Sequence, residues 1–127
     1  IGIMSKEIST NFAPSAVGPY SQAIEAGDMI YISGQLGLNP VDGSLPVDVV
    51  SQAKQSLANI GEILKAAGCD FSNVVKTSIF LTDLNAFADV NDVYSTFFNK
   101  PYPARSCVEV SKLPKGGLIE IECIAKK

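Results

Sequence analysis

The clearest helical pattern in the chain is DVVSQAKQSLANIGEILKAA, residues 48–67. Asp48 can accept a hydrogen bond from the first turn, and Gly68 suits the left-handed conformation that ends many helices. Apolar residues recur at alternating spacings of three and four, which lines one face of an α-helix; they are Val50, Ala53, Leu57, Ile60, Leu64 and Ala67. The pattern therefore predicts an amphipathic helix that packs on a sheet.

Strand patterns flank this helix on both sides. On its N-terminal side, turn formers separate residues 21–26 from residues 29–33, and both faces of the second run are apolar or aromatic. A strand that is buried on both faces is central in its sheet. On the C-terminal side, residues 73–81 predict a strand with one face made of Val75, Thr77, Ile79 and Leu81.

A second helix and two further strands complete the chain. Residues 84–98 predict a helix that Asp83 or Asn85 caps, with an apolar stripe of Phe87, Val90, Tyr94 and Phe97. Residues 104–110 and 118–125 predict two strands, and the short connector between them, which contains a proline and two glycines, favours a hairpin. The element order indicates an α+β domain with a sheet of about six strands and two helices on one face.

The other face of that sheet is also apolar at several positions, namely Val74, Phe80 and Ile124. Two helices cover only one face of such a sheet, so another molecule has to bury the second face. A homo-oligomer is the simplest way to do so.

The predicted hairpin groups several polar side chains. In strand 104–110 the even positions are small or apolar, and in strand 118–125 the odd positions are apolar. If both apolar sets face the helices, the remaining side chains share the opposite face: Arg105, Cys107, Glu109, Glu120 and Glu122. Such a face is either solvated, with ion pairs worth about 0–1 kcal/mol each, or a cleft that an oligomer covers. In a cleft, arginine suits a substrate carboxylate and glutamate suits proton transfer.

Length and composition narrow the possible functions. The chain has 127 residues, enough for one domain. We assign that domain to residues 4–127 and interpret residues 1–3, which precede a methionine, as a leader or a cloning remnant. The absence of histidine excludes histidine-activated nucleophiles and His-ligated metals. The net charge of −3 does not favour nucleic acid as a partner.

Location follows from two further features of the sequence. No apolar run approaches the roughly 18 residues of a membrane span. The three cysteines are far apart and odd in number, which indicates free thiols in a reducing cytoplasm.

Three smaller motifs have plain structural interpretations. Gly34-x-x-Gly37 lacks the lysine of a phosphate loop and fits a turn. Residues 18–21 also fit a turn, with Tyr20 packed in the core. Cys107 has no histidine to activate it, so a packing or lining role suits it better than nucleophilic catalysis.

Several segments together resemble one protein family. They are GPYSQA at 18–23, YISGQ at 31–35, DLN at 83–85, VN at 90–91, PARSCV at 103–108 and IEI at 119–121. From about residue 4 to the C-terminus the chain is similar to the RidA family, also called the YjgF family, and in particular to its imine-deaminase branch.

The resemblance implies a chorismate-mutase-like fold, a homotrimer with sites between subunits, and no metal or cofactor. It also implies hydrolysis of reactive enamines and imines, such as 2-iminobutanoate and 2-iminopropanoate, to 2-oxo acids and ammonia. Arg105 would bind the substrate carboxylate, and Glu120 would activate water or move a proton. The implied pocket lining is Tyr20, Ser33, Gly34, Asn91 and Cys107. This mechanism requires Arg105 and Glu120 to converge on one crevice, roofed by a neighbouring copy.

Two other functions stay open at the level of sequence. The same cleft could bind a small carboxylate and regulate a partner without turnover. An endoribonuclease or translation inhibitor is the third hypothesis, although the acidic composition and the missing histidine do not favour it.

Overall fold

A computed structural model describes residues 5–127 of the chain, and our interpretation of residues 1–3 lies outside that part. Within residues 5–127, six strands and two α-helices occur in the order β1 (Ser5–Ile8), β2 (Ala23–Ala26), β3 (Met29–Leu36), α1 (Val49–Ala66), β4 (Val74–Leu81), α2 (Phe87–Ser95), β5 (Ala104–Glu109) and β6 (Ile119–Lys126). No helix in this range is long and apolar enough to cross a membrane.

The helix α1 forms where the sequence predicts it. The Asp48 carboxylate accepts a hydrogen bond from the backbone N–H of Ser51 at 3.0 Å, and Gly68 adopts a φ of +75° just beyond the helix. The predicted apolar face is buried at Ala53, Leu57, Ile60, Leu64 and Ala67, whereas Val50 is only partly buried.

The strands of residues 5–127 form one mixed sheet in the order β1-β2-β3-β6-β4-β5. β4 and β5 are parallel, and the other neighbouring pairs are antiparallel. β3 lies between β2 and β6, which confirms that it is internal. α1 contacts β3 and β6, and α2 packs beside α1 and against β4 on the same face. The predicted α+β architecture is therefore confirmed.

The predicted hairpin of β5 and β6 is wrong, because β4 lies between these strands. The crossover through α2 lays β5 parallel to β4, and β6 occupies the other edge of β4. The connector passes the end of β4, where the N–H of Val110 donates to the Leu81 carbonyl and that of Thr82 to the Leu118 carbonyl. A few residues easily span two strand spacings of about 4.8 Å each, so connector length does not identify the neighbouring strand.

A β-bulge near the start of β4 changes which way its first side chains face. The pairing of β4 with β6 shifts register between Val74 and Lys76. Val74 is consequently only 6% exposed, whereas Val75 is 44% exposed. The predictions that grouped Val75 with the buried Thr77, and Val74 with the uncovered face, are wrong.

The second helix is shorter than predicted. A 3₁₀ turn, Leu84–Ala86, precedes α2, and Asp83 caps it by accepting from the N–H of Asn85 at 2.9 Å. α2 ends where the hydroxyls of Ser95 and Thr96 donate to carbonyls of the last turn. The predicted stripe is only partly in the core: Val90 and Tyr94 are buried, Phe97 is half-buried and Phe87 is exposed.

The face of the sheet away from the helices is partly apolar and accessible. Tyr31 and Val108 are 47% and 45% exposed. Their cross-strand partners, Ile124 and Phe80, are half-buried. Exposed apolar side chains of this kind fit an interface, although the polar Lys76, Ser78 and Glu122 lie between the two pairs on this face. The homo-oligomer stays a prediction.

Candidate active site

Arg105 lies on the edge strand β5 and is the only arginine of the sequence. Its Nη1 donates a hydrogen bond to Asn91 Oδ1 at 2.7 Å. Its Cζ lies 4.9 Å from the ring centre of Tyr94 and 5.4 Å from that of Phe87. Cation–π contacts with both rings and the hydrogen bond to the amide hold the guanidinium in one orientation.

All three partners of Arg105 come from one stripe of α2. Phe87, Asn91 and Tyr94 follow one another at spacings of four and three, which places them on the same side of a helix. The predicted core role of Phe87 and Tyr94 did not include their contact with Arg105. The spacing of these aromatic residues around Asn91 is the signal that could have revealed it.

A cleft with a volume of about 420 Å³ opens beside Arg105. Within residues 5–127 the ion pairs are Lys126–Asp28 and Lys127–Glu25. In this part of the chain the guanidinium therefore has no carboxylate partner. Its remaining N–H groups are available to bind an anion in a fork.

Two groups next to Arg105 are neutral at physiological pH. Burial raises the pKa of the half-buried Cys107 thiol, and Arg105 lowers it in part. Burial likewise raises the pKa of Tyr94, whose hydroxyl shares a 2.8 Å hydrogen bond with Thr77 Oγ1. A protonated thiol suits a lining role for Cys107 rather than a nucleophilic one.

Glu120 lies on β6 against Gly34 of β3. A Cβ atom added to Gly34 would lie 2.8 Å from Glu120 Cδ, so any other residue there would displace the carboxyl group. Gly34 is thus a strand residue, and its assignment to a turn is wrong. Burial raises the pKa of Glu120, and the nearby Glu122 raises it further. A carboxyl group whose pKa is raised suits proton transfer near neutral pH.

A second cleft, of about 750 Å³, surrounds Glu120. Tyr20 lines this cleft and is half-exposed, so its predicted place in the core is wrong. Ser33 also lines the cleft, and its hydroxyl donates to the Ser21 carbonyl at 2.6 Å. The cleft combines polar groups with exposed apolar ones such as Val41.

Arg105 and Glu120 lie on opposite faces of the sheet. Arg105 aligns with Thr77, which faces the helices, whereas Glu120 aligns with Phe80, which faces away. Because successive strand residues alternate between faces, the prediction of one shared face is wrong: Cys107 and Glu109 lie with Arg105, and Glu122 lies with Glu120.

The error has a physical cause in the edge position of β5. On this strand the helix side carries the half-buried Cys107 and also Arg105, whose guanidinium lies on the rings of Phe87 and Tyr94 of α2. Val108 is exposed on the other side. At a partly covered edge strand, side-chain polarity does not report which face is inside. The assumption that apolar positions face the helices holds for β6 and fails for β5.

The predicted site residues consequently fall into two groups. The arginine half-site contains Asn91, Arg105 and Cys107. The glutamate half-site contains Tyr20, Ser33, Gly34 and Glu120. The sheet separates the two half-sites within one chain, so the single crevice expected from the sequence is not formed by one chain alone.

Glu120→Gln is expected to stabilise the folded chain more at about pH 8 than at about pH 3. Because the pKa of Glu120 is raised on folding, the folded state retains a proton that the unfolded state releases as the pH rises. The carboxyl group therefore lowers the free energy of unfolding above its ordinary pKa. Urea unfolding at both pH values measures this, with the exposed Glu7→Gln as control. A gain that does not grow with pH would contradict the raised pKa.

The known proteins that this chain resembles match it over segments that include both half-sites. The sequence model of the family described as endoribonuclease L-PSP matches residues 10–127. The 2-iminobutanoate/2-iminopropanoate deaminase of Capra hircus is 57% identical over 124 residues, which are 97% of this chain and 90% of the goat protein.

Two solved structures share the fold along nearly the whole chain. RidA from an Antarctic Psychrobacter is 47% identical with a TM-score of 0.94, and the match covers 96% of this chain and 99% of that one. Escherichia coli TdcF with bound serine is 46% identical with a TM-score of 0.92, and the match covers 96% and 98% of the two chains.

Proposed function

We propose that this chain, which belongs to the RidA family, hydrolyses the enamine and imine intermediates 2-iminobutanoate and 2-iminopropanoate to 2-oxo acids and ammonia. The observation that carries the proposal is its 57% identity, over 97% of the chain, to a protein named for this activity. The two half-sites supply the groups that such a reaction needs.

Arg105 is the group that would bind the substrate carboxylate. Its guanidinium is held by Asn91 and by the rings of Phe87 and Tyr94, so little side-chain freedom is lost on binding. A guanidinium fork binds a carboxylate through two parallel, charge-assisted hydrogen bonds. The related TdcF with bound serine supports a ligand that carries a carboxylate next to a nitrogen-bearing carbon.

Glu120 is the group that would handle protons. Imine hydrolysis adds water to the C=N carbon, and the resulting carbinolamine expels ammonia as its C–N bond breaks and the C=O bond forms. The Glu120 carboxylate can take a proton from the attacking water and return it to the leaving nitrogen. An imine carbon is already electrophilic, so positioning and proton transfer supply the catalysis.

The opposite placement of Arg105 and Glu120 requires two chains for one site. We place the arginine half-site of one subunit over the glutamate half-site of its neighbour, in a homotrimer. β5 is an edge strand, so Arg105 lies at the margin of the sheet, where a second copy can approach. The exposed Tyr31 and Val108 on the outer face offer apolar surface for that contact.

A cytoplasmic location fits the state of the thiols. Cys69 and Cys123 are buried, Cys107 is half-buried, and all three are free. Burial raises the pKa of Cys123 to about 12, so this thiol stays protonated and unreactive. Free cysteines are typical of proteins in a reducing compartment.

The test of the function is ammonia release from an imine that is generated in the assay. A pyridoxal-phosphate-dependent threonine dehydratase supplies 2-iminobutanoate, and its breakdown is followed with and without this protein. We expect release of ammonia and 2-oxobutanoate to accelerate in proportion to protein concentration. Unchanged imine lifetime together with tight binding of 2-oxobutanoate would instead indicate the regulatory binding module. RNA cleavage that Glu120→Gln abolishes, without imine hydrolysis, would indicate the endoribonuclease.

A further inference from the structure

A row of polar side chains is buried on α1. Gln52, Ser56 and Asn59 follow one another at spacings of four and three, so they share one stripe of the helix. Each is at most 2% exposed. Buried polar groups lower stability unless they are hydrogen-bonded, so the partners of this row show what it does.

Ser56 and Asn59 bind the backbone at the end of β3. Ser56 Oγ donates to the Gln35 carbonyl at 2.7 Å. Asn59 Nδ2 donates to the carbonyls of Leu36 and Leu38 at 3.2 and 3.0 Å. β2 pairs with β3 as far as Ile32, and Ser33 still donates to the carbonyls of Ser21 and Gln22. Beyond Ser33, the bonds from α1 and the pairing with β6 hold the strand.

Gln52 binds the start of the neighbouring strand. Its Oε1 accepts a hydrogen bond from the N–H of Leu118 at 2.9 Å, and its Nε2 donates to the Pro46 carbonyl at 2.7 Å. Leu118 immediately precedes β6 and lies two residues before Glu120. The polar row therefore holds both strands that form the glutamate half-site.

Gly34 and Gly37 let the segment between them contact α1 at one end and the carboxyl group of Glu120 at the other. A Cβ atom on Gly37 would overlap the backbone carbonyl of Gln52 on α1. A Cβ atom on Gly34 would overlap the carboxyl group of Glu120 on the other side. The Gly34-x-x-Gly37 motif thus links α1 to the carboxyl group of Glu120. If residues 34–37 shifted relative to α1, the contact between Gly34 and that carboxyl group would change.

We propose that the buried polar row Gln52–Ser56–Asn59 of α1 is a positioning element for Glu120. It fixes the end of β3 against the start of β6, so that Gly34 and the Glu120 carboxyl group keep their contact. These residues act through the backbone and do not touch the substrate. The kinetic consequence rests on the proposed imine hydrolysis, whereas the structural consequence does not.

Ser56→Ala is the sharpest test, because it removes one hydrogen bond and little volume. We expect kcat for imine hydrolysis to fall about tenfold, since small displacements of a catalytic group are costly, and KM to stay within about twofold because Arg105 is untouched. The pKa of Glu120, measured by ¹³C NMR titration of its carboxyl carbon, should move toward the ordinary glutamate value as water gains access. Other titratable groups lining its cleft, Tyr20, Lys115 and Glu122, are unchanged by the substitution.

Ile63→Val is the matched control. Ile63 is fully buried on the same helix, and its truncation lowers stability without altering the polar row. It should leave kcat and the pKa of Glu120 unchanged. Asn59→Ala removes three hydrogen bonds, two of them to the backbone at the end of β3, and should shift that pKa further than Ser56→Ala. The proposal is overturned if Ser56→Ala keeps both wild-type values, or if Ile63→Val changes them equally.

The two measurements also separate this proposal from the proposed function. If the wild-type chain does not hydrolyse imines, the proposed function fails, and the NMR titration alone still decides the positioning role. If imines are hydrolysed and Ser56→Ala changes only KM, the function stands and the positioning role fails.

Discussion

Replacing Arg105 with alanine is expected to lower kcat/KM for imine hydrolysis at least about a hundredfold. The guanidinium has no carboxylate partner within residues 5–127, and Arg105 lines a cleft. A charge-assisted hydrogen bond contributes roughly 1.5–3 kcal/mol, and about 1.4 kcal/mol corresponds to a tenfold change. Loss of two such bonds therefore accounts for a decrease of this size. The ammonia-release assay with purified variants measures it.

Two companion variants separate the role of the fork from that of charge. Arg105→Lys keeps the positive charge but loses the planar fork and its stacking on Phe87 and Tyr94, so an intermediate decrease is expected. Lys54→Ala removes one positive charge from an exposed position on α1 and should leave kcat/KM unchanged. Because Arg105 is itself exposed, its variants should fold normally. An Arg105→Ala protein with wild-type activity would refute the proposed carboxylate binding.

Mixing two inactive variants is expected to restore activity. Arg105→Ala inactivates the arginine half-site and Glu120→Gln inactivates the glutamate half-site, so each homo-oligomer has no complete site. If each site takes one half from each of two neighbours, random assembly of equal amounts leaves about one site in four with both groups intact. The mixture, co-expressed or refolded together, should therefore show about a quarter of the wild-type ammonia-release rate.

The same experiment distinguishes a shared site from a site within one chain. If one chain supplied both groups, every site in the mixture would lack one of them, and the rate would stay at the level of the single variants. A mixture of the Arg105→Ala and Asn91→Ala proteins is the matched control. Both substitutions affect the arginine half-site, so the two variants should not complement each other. Failure of Arg105→Ala and Glu120→Gln to complement would refute the composite site while leaving the deaminase function open.

Local patterns in the sequence were sufficient to predict most elements. α1 was predicted from its caps and its apolar periodicity, because both are properties of neighbouring residues along one helix. Family membership was predicted from short motifs around Tyr20, Gly34, Arg105 and Glu120, and the comparisons confirm it. These motifs include residues from both half-sites, although nothing in them indicates that the residues belong to different faces.

Strand neighbours and side-chain faces could not be predicted in the same way. The order β6-β4-β5 depends on the crossover through α2 and on which edge of β4 is free, and neither is encoded in the residues of β5 or β6 alone. Likewise, the bulge between Val74 and Lys76 changed the faces of the first side chains of β4 without a local signal. A shift of one residue moves every side chain to the opposite face, so small pairing errors produce large errors about a site.

The amino-acid sequence by itself determined which residues are available: one arginine, no histidine, and the glutamate and glycine that form one half-site. It also determined most of the helices and strands, since these follow from short-range periodicity and capping. Only the tertiary structure decided that Arg105 faces α2 while Glu120 faces away, because the face of a strand residue depends on pairing with segments distant in the chain. For that physical reason Arg105 and Glu120, which the sequence predicts on one face of one chain beneath a neighbouring copy, are proposed to come from two different chains.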